Sequence, residues 1–182
     1  MKFVETILKG AYVITPDIIE DDRGFFARTF CRREFAEMGI NSDFVQGNIS
    51  YNKKKGTLRG MHYQIRPHAE VKLIRCTAGA IYDVIVDLRP ESPTFRQWIS
   101  VELTAANHEM LYIPERFAHG FQTLSDDTEV IYHHSAYYAP ENEHRLRFDD
   151  SSLGIAWPLP VAVISDRDKN HPLMDDHFQG IQ

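Results

Sequence analysis

Turn-forming residues interrupt this chain at short intervals, and that spacing constrains its fold more than any other feature. Asp22-Arg23-Gly24, Lys55-Gly56, Ala78-Gly79, Arg89-Pro90-Glu91-Ser92-Pro93, Ser125-Asp126-Asp127 and Ala139-Pro140 all carry turn chemistry. The segments between them are short and rich in β-branched and aromatic residues. In Gln97–Thr104, Ile99, Val101 and Leu103 alternate with Ser100, Glu102 and Thr104, the pattern of a half-buried strand. Ala80–Leu88 is apolar almost throughout, with Asp83 and Asp87 as polar exceptions, and reads as a strand buried on both faces. Val130–Tyr138 is a further strand candidate. Only Arg32–Gly39 has a helical pattern, with Gly39 as its stop. A second short helix is expected in the tail. Many short strands with little helix predict an all-β sandwich or barrel, and a double-sheet jelly roll is the form that also encloses a pocket.

At 182 residues and 43% hydrophobic content, the chain is expected to form one domain with its own core. Only two cysteines are present, Cys31 and Cys76, which argues against a disulfide framework and for a reducing compartment. No apolar run approaches the ~20 residues of a membrane span. The opening MKFVETILKG lacks the apolar stretch of a signal peptide, so a cytoplasmic location is expected. A net charge of −6 argues against a general nucleic-acid binder. The charge is uneven, however. Residues 23–75 carry 11 Lys/Arg against 4 Asp/Glu, whereas residues 76–182 carry 7 against 17. One basic third in an acidic chain suits a small anion while repelling polyanions, although charge alone favours a solvated face.

Nine histidines are present, none before position 62. His108, His171 and His177 sit in polar surroundings and read as surface residues. His62 lies in the strand-like run Gly56–Gln64. A regular strand puts Leu58, Gly60, His62 and Gln64 on one face, with small Gly60 leaving room for a ligand. Arg59 then points away, unless a bulge at Gly60 re-aims it. A period of two likewise puts Tyr132, His134 and Tyr138 together. Tyrosines so spaced more often pack than react.

Gly56-Thr-Leu-Arg-Gly-Met-His-Tyr-Gln64 resembles the active-site strand of the dTDP-4-dehydrorhamnose 3,5-epimerase family. So do Asp22-Arg-Gly-Phe-Phe26, Lys72-Leu-Ile-Arg75, Tyr112-Ile-Pro-Glu-Arg-Phe-Ala-His-Gly120, Tyr137-Tyr-Ala-Pro-Glu141 and Ile164-Ser-Asp-Arg-Asp168. Together they span nearly the whole chain in family order. The resemblance implies a single cupin-like jelly-roll domain over residues 1–182. Residues 1–50 would form an N-terminal arm and dimer-contact segment, 51–140 the core, and 141–182 a segment closing the site. It implies a homodimer that needs neither metal nor organic cofactor, and a nucleotide-linked 4-keto-6-deoxyhexose as substrate.

By the same resemblance, His62 is the base that removes a proton next to the keto group, and Asp168 holds its imidazole. Lys72 is the cation beside the enolate oxygen, and Tyr132 is the proton donor. Tyr138 stacks on the nucleotide base. Arg23, Gln46, Asn48, Arg59, His119 and Glu143 hold the nucleotide and diphosphate, Phe26 lines the same groove, and the Arg23 segment reaches in from the partner subunit. Arginine suits phosphate because its planar fork donates two parallel hydrogen bonds. The chain departs from the family in four places. Arg28 stands in the substrate groove where a Glu usually contacts the nucleotide base, which leaves the base of the substrate open; a positive charge there could meet a phosphate instead. Arg167 replaces a common Lys beside the closing Asp. His133 and His134 replace the usual neighbours of Tyr132, where residue choice bears on whether C3, C5 or both are inverted. The loop Ser50–Lys55 is one residue longer.

Three rival readings remain at this stage. The same site could invert C3 alone. A metal-dependent cupin oxygenase would gather His62, His68 and His119, a set whose spacing fits poorly. A non-catalytic sugar or nucleotide binder would not need His62, Lys72, Tyr132 and Asp168 together.

Overall fold

The alternating segments of the sequence become thirteen strands among residues 1–175 and 177–182, the residues described by this computed structural model. In chain order the strands are β1 (Lys2–Glu5), β2 (Tyr12–Thr15), β3 (Ile18–Asp21), β4 (Gly24–Ala27), β5 (Gln46–Asn52), β6 (Leu58–Gln64), β7 (Lys72–Ala78), β8 (Ala80–Asp87), β9 (Trp98–Thr104), β10 (Met110–Ile113), β11 (Phe117–Thr123), β12 (Thr128–His134) and β13 (Glu143–Arg145). Two short helices, α1 (Arg32–Glu37) and α2 (Asp166–Lys169), stand where helix was expected. Gly39 follows α1 with φ +69°, the left-handed turn that stops a helix.

The strands form two antiparallel sheets packed as a sandwich, as the turn spacing predicts. One sheet has the order β1-β2-β10-β7-β12-β5 and the other β13-β6-β11-β8-β9. Strands β3 and β4 pair only with each other. The sandwich therefore extends beyond residues 51–140 on both sides, taking β1, β2 and β5 from before that stretch and β13 from after it.

Three apolar clusters explain the burial. The interior between the sheets holds Leu8, Ile74, Cys76, Ile81, Ile85, Leu103, Leu111, Phe117, Phe121 and Val130. Helix α1 drops Phe35 onto the outer face of the six-stranded sheet, against Ile14, Leu73, Met110 and Tyr112. The chain after β13 covers the outer face of the five-stranded sheet, where Leu146, Leu153 and Ile181 meet Met61, Val84, Val86 and Ala118. Strand β8 is covered on both sides for this reason, which accounts for its continuous apolar run.

Two expectations need correction. Strand β12 ends at His134, so Tyr138 does not share a strand face with Tyr132. The chain bends after His134, and the Tyr138 N–H is held by the Gln46 side chain at 3.0 Å. Gly60 does not leave room for a ligand. A Cβ there would lie 2.5 Å from the Gly120 Cα, because the backbones of β6 and β11 touch at this point.

Candidate active site

The contact at Gly60 shapes the site. On β11, His119 faces His62 and Phe121 faces Arg59, so three steps along β6 match two along β11. This is a β-bulge, and it shifts the alternation by one residue. Met61 and Tyr63 turn outward into the C-terminal cover, while Arg59 and His62 both line the inner cavity. The bulge needed to re-aim Arg59 is therefore present.

The cavity has a volume of about 250 Å³ and lies between the two sheets. That is below the ~300 Å³ lower end for sites that enclose a drug-sized ligand, so it holds a sugar-sized group and leaves a longer ligand to the open groove. The deep end is lined by Lys72, His119, Phe121 and Tyr132, and the outer end by the more exposed Gln46, Asn48, Arg59, Tyr138 and Glu143. The register explains the grouping. Tyr132 pairs with Asn48 and His134 with Gln46, which puts β12 and β5 side chains on the same cavity wall.

His62 Nε2 donates to Asp168 Oδ1 at 2.7 Å. Asp168 comes from the far end of the sequence. The bridge Thr57–Val163 brings the tail alongside β6, and Ser165 caps α2 by accepting from the Asp168 N–H at 3.1 Å. Burial pushes the Asp168 carboxyl pKa up, but the His62 hydrogen bond and charge outweigh this and hold it at about 2. The carboxylate is thus ionised at neutral pH, and Arg145 Nε adds a second contact at 3.2 Å. A carboxylate only accepts, so Nε2 carries the hydrogen and Nδ1 is left to take a proton.

Lys72 is 7% exposed, with Nζ 3.2 Å from Glu70 Oε1 and 3.4 Å from the His62 carbonyl. It is a buried cation held at the cavity wall. Burial and the nearby Asp83 push the Tyr132 hydroxyl well above the usual phenol range, so it keeps its proton and can donate it. His119 is buried, packs edge-on against Tyr132, and is bonded through Nε2 to Asp83 at 2.6 Å. Burial lowers its pKa despite the Asp83 charge, which favours the neutral imidazole. This depth is at odds with a diphosphate contact, because His119 lies among the residues of the deep end rather than in the groove.

The outer residues line the open end of the cavity. Arg59 Nε is fixed by Asn52 at 2.7 Å, and the Tyr138 hydroxyl donates to Glu143 at 3.2 Å. Arg167 is exposed and 3.6 Å from Glu143. Asp168 and Arg167 stand beside the cavity rather than in its lining, and three further assigned residues are not in this chain's cavity at all. Arg23 pairs with Asp21, Phe26 is 69% exposed on the β3–β4 hairpin, and Arg28 donates to Glu34 at 3.0 Å. The three-His metal set is not assembled either. His62 and His119 each give Nε2 to a carboxylate and His68 is not in the cavity lining. Among the described residues no group of three or more His, Cys, Asp or Glu is placed to hold a metal ion.

Sequence reasoning missed Asp83, Glu70, Asn52 and Arg145, each of which fixes a cavity residue. Asp83 did carry a signal, as a lone carboxylate in a strand buried on both faces, where a partner is obligatory.

The family model described as dTDP-4-dehydrorhamnose 3,5-epimerase matches residues 5–176. A dTDP-4-dehydrorhamnose 3,5-epimerase from Shigella flexneri is 42% identical over 171 residues, 93% of this chain and 94% of the relative. The crystal structure of the Bacillus anthracis enzyme of that name, with TDP and PPi bound, superposes with TM-score 0.92. It is 43% identical and the match covers 95% of this chain and 99% of that one. A dTDP-6-deoxy-D-glucose-3,5-epimerase from Legionella pneumophila in complex with dTDP-4-keto-L-rhamnose has TM-score 0.89 and 40% identity, covering 94% of this chain and 92% of that one.

Proposed function

This chain belongs to the dTDP-4-dehydrorhamnose 3,5-epimerase family, and from that premise we propose the parts its cavity residues take in inverting C3 and C5 of a nucleotide-linked 4-keto-6-deoxyhexose. The observation that carries the assignment is the juxtaposition of the His62–Asp168 pair, the buried Lys72 ammonium and the protonated Tyr132 around one sugar-sized cavity.

The 4-keto group acidifies the hydrogens on its two neighbouring carbons. His62 takes the proton from carbon, and the electron pair moves to the keto oxygen as an enolate. Asp168, already ionised, stabilises the imidazolium. Lys72 faces the enolate oxygen, and a preformed charge of this kind is the largest contribution in such chemistry. Tyr132 returns a proton to the opposite face of the carbon. His62 gives its proton to solvent and Tyr132 regains one, so the cycle is neutral. His119 acts at the sugar end with Tyr132. Arg59, Gln46, Asn48, Tyr138 and Glu143 take the nucleotide and its diphosphate in the open groove, with Arg167 at its rim. The enzyme works without a cofactor, in the cytoplasm.

Incubation with dTDP-4-keto-6-deoxyglucose in deuterated water tests the reaction. Deuterium is expected at both C3 and C5. Label at C3 alone would turn the reading to a 3-epimerase, and no label at either carbon would leave a non-catalytic binder.

The active unit is a homodimer. Strands β3 and β4 form a two-stranded sheet exposing Ile19, Phe25 and Phe26, and such a ribbon is marginal without something to pack on. A partner's groove supplies that surface and receives Arg23, Phe26 and Arg28. Mixing dissociated and reassociated Arg23→Ala and His62→Ala chains is then expected to restore about a quarter of normal activity, because half the dimers are mixed and each has one intact site. Recovery no greater than the two variants show separately would put Arg23 outside the partner's site.

A further inference from the structure

One ion pair and four hydrogen bonds run in series along the cavity wall, and His134 within that series has no part in the mechanism above. Lys72 Nζ lies 3.2 Å from Glu70 Oε1. Glu70 Oε2 is 2.7 Å from His134 Nδ1. His134 Nε2 is 3.2 Å from Asn48 Nδ2, and Asn48 Oδ1 accepts from Gln46 Nε2 at 3.3 Å. Gln46 Oε1 accepts in turn from the Tyr138 N–H at 3.0 Å. The series runs from the deep cation to the groove.

Its direction is set by the donors. A carboxylate only accepts, so His134 donates to Glu70 through Nδ1. Nε2 is then the acceptor, and it turns the Asn48 amide so that Nδ2 faces the imidazole. This fixes Gln46 as the donor to Asn48. The imidazole is held in place by stacking on Tyr132, with ring centroids 5.9 Å apart and planes 15° apart. Glu70 and Lys72 are the charged groups facing it, with neutral Gln46 and Asn48 on β5 and His133 beside it on β12. The contacts among Lys72, Glu70 and His134 are nearly buried, where each hydrogen bond is worth more than in water, whereas those of Asn48 and Gln46 lie in the exposed groove. Burial raises the Glu70 carboxyl pKa, but Lys72 and His134 outweigh it and keep the group ionised.

We propose that His134 is a positioning residue with two separable functions: through Nδ1 it orients the Glu70–Lys72 pair for the enolate, and through Nε2 it orients the Asn48 and Gln46 amides for the nucleotide end. The proposal rests on the epimerase reading for the roles of Lys72 and Asn48.

Two amide substitutions separate the functions. In His134→Asn the side-chain amide falls at the Nδ1 position, keeping the Glu70 contact and losing Asn48. In His134→Gln it reaches the Nε2 position, keeping Asn48 and losing Glu70. One net hydrogen bond is worth about 3–10-fold, so the Asn variant is expected to raise KM and the dTDP Kd by about that factor with kcat held. The Gln variant is expected to lower kcat by about the same factor with KM and dTDP Kd held. Steady-state kinetics and dTDP calorimetry read both, with thermal midpoints confirming folded protein. Either variant changing both parameters, or neither, overturns the two-function assignment. Failure of the epimerase reading is seen separately, as absence of deuterium exchange in the unsubstituted protein.

Discussion

His62→Ala is expected to abolish turnover, with a loss of at least about a thousandfold, while dTDP affinity stays within about tenfold. The asymmetry comes from where His62 sits. Its ring lines the cavity beside Lys72 and Tyr132, whereas the residues proposed for the nucleotide, Arg59, Gln46, Asn48 and Tyr138, lie toward the open groove. A base acts on a proton that moves only in the transition state, so its loss falls on kcat and not on ground-state binding. Folding is expected to survive. The side chain is about a third exposed, and Asp168 keeps its contacts with Arg145 and the α2 cap. Deuterium incorporation measures turnover and calorimetry measures dTDP binding. Unchanged turnover would remove His62 from the mechanism, and a dTDP Kd raised a hundredfold would place it in nucleotide binding instead.

The features legible in the sequence and those hidden from it divide along physical lines. Period-two alternation and turn residues act locally, so the sandwich, α1 and the doubly buried β8 were legible. Tyr132 and His134 sharing a face was legible because β12 is regular. Tyr138 was misplaced because the strand stops at His134 and the path of residues 135–138 is fixed by a side chain on another strand, Gln46. Nothing local to 135–138 announces that. The direction of Arg59 is not fixed by local pattern, because the bulge depends on a backbone contact between β6 and β11, which are distant in sequence. The pairing of His62 with Asp168 spans 106 residues and came from family resemblance, not from any pattern in the residues. Asp83 reaches His119 across 36 residues and Glu70 reaches His134 across 64, contacts that no local pattern announces, whereas Asn52 meets Arg59 only seven residues away, across the turn between β5 and β6. The basic third of the chain also divides. Arg59 and Lys72 line this chain's cavity, while Arg23 and Arg28 stand outside it, exposed and paired with Asp21 and Glu34, as residues proposed for a partner's groove.

Gly60→Ala is expected to cost about 3 kcal/mol of stability, since overpacking and a strained backbone each cost about 1–3 kcal/mol. The added methyl would stand 2.5 Å from the Gly120 Cα and 2.9 Å from the His119 carbonyl oxygen. Both obstacles are backbone, so no side chain can swing aside. The φ of +124° is also one that only glycine adopts with ease. For a chain of this length the thermal midpoint should fall by about 6–12 °C. Relief can come only by parting β6 from β11, and that moves His62 away from His119 and undoes the bulge that turns Arg59 inward. Activity is therefore expected to fall well below what instability alone accounts for at temperatures where the variant is still folded. Gly47→Ala is the control. It lies on β5 near the same cavity, but its Cβ would meet nothing closer than the Tyr132 carbonyl at 3.8 Å, so a change within about 0.5 kcal/mol is expected. Equal midpoints for the two variants would mean that the strand crossing is soft, and that the bulge owes its place to something other than the contact of two glycines.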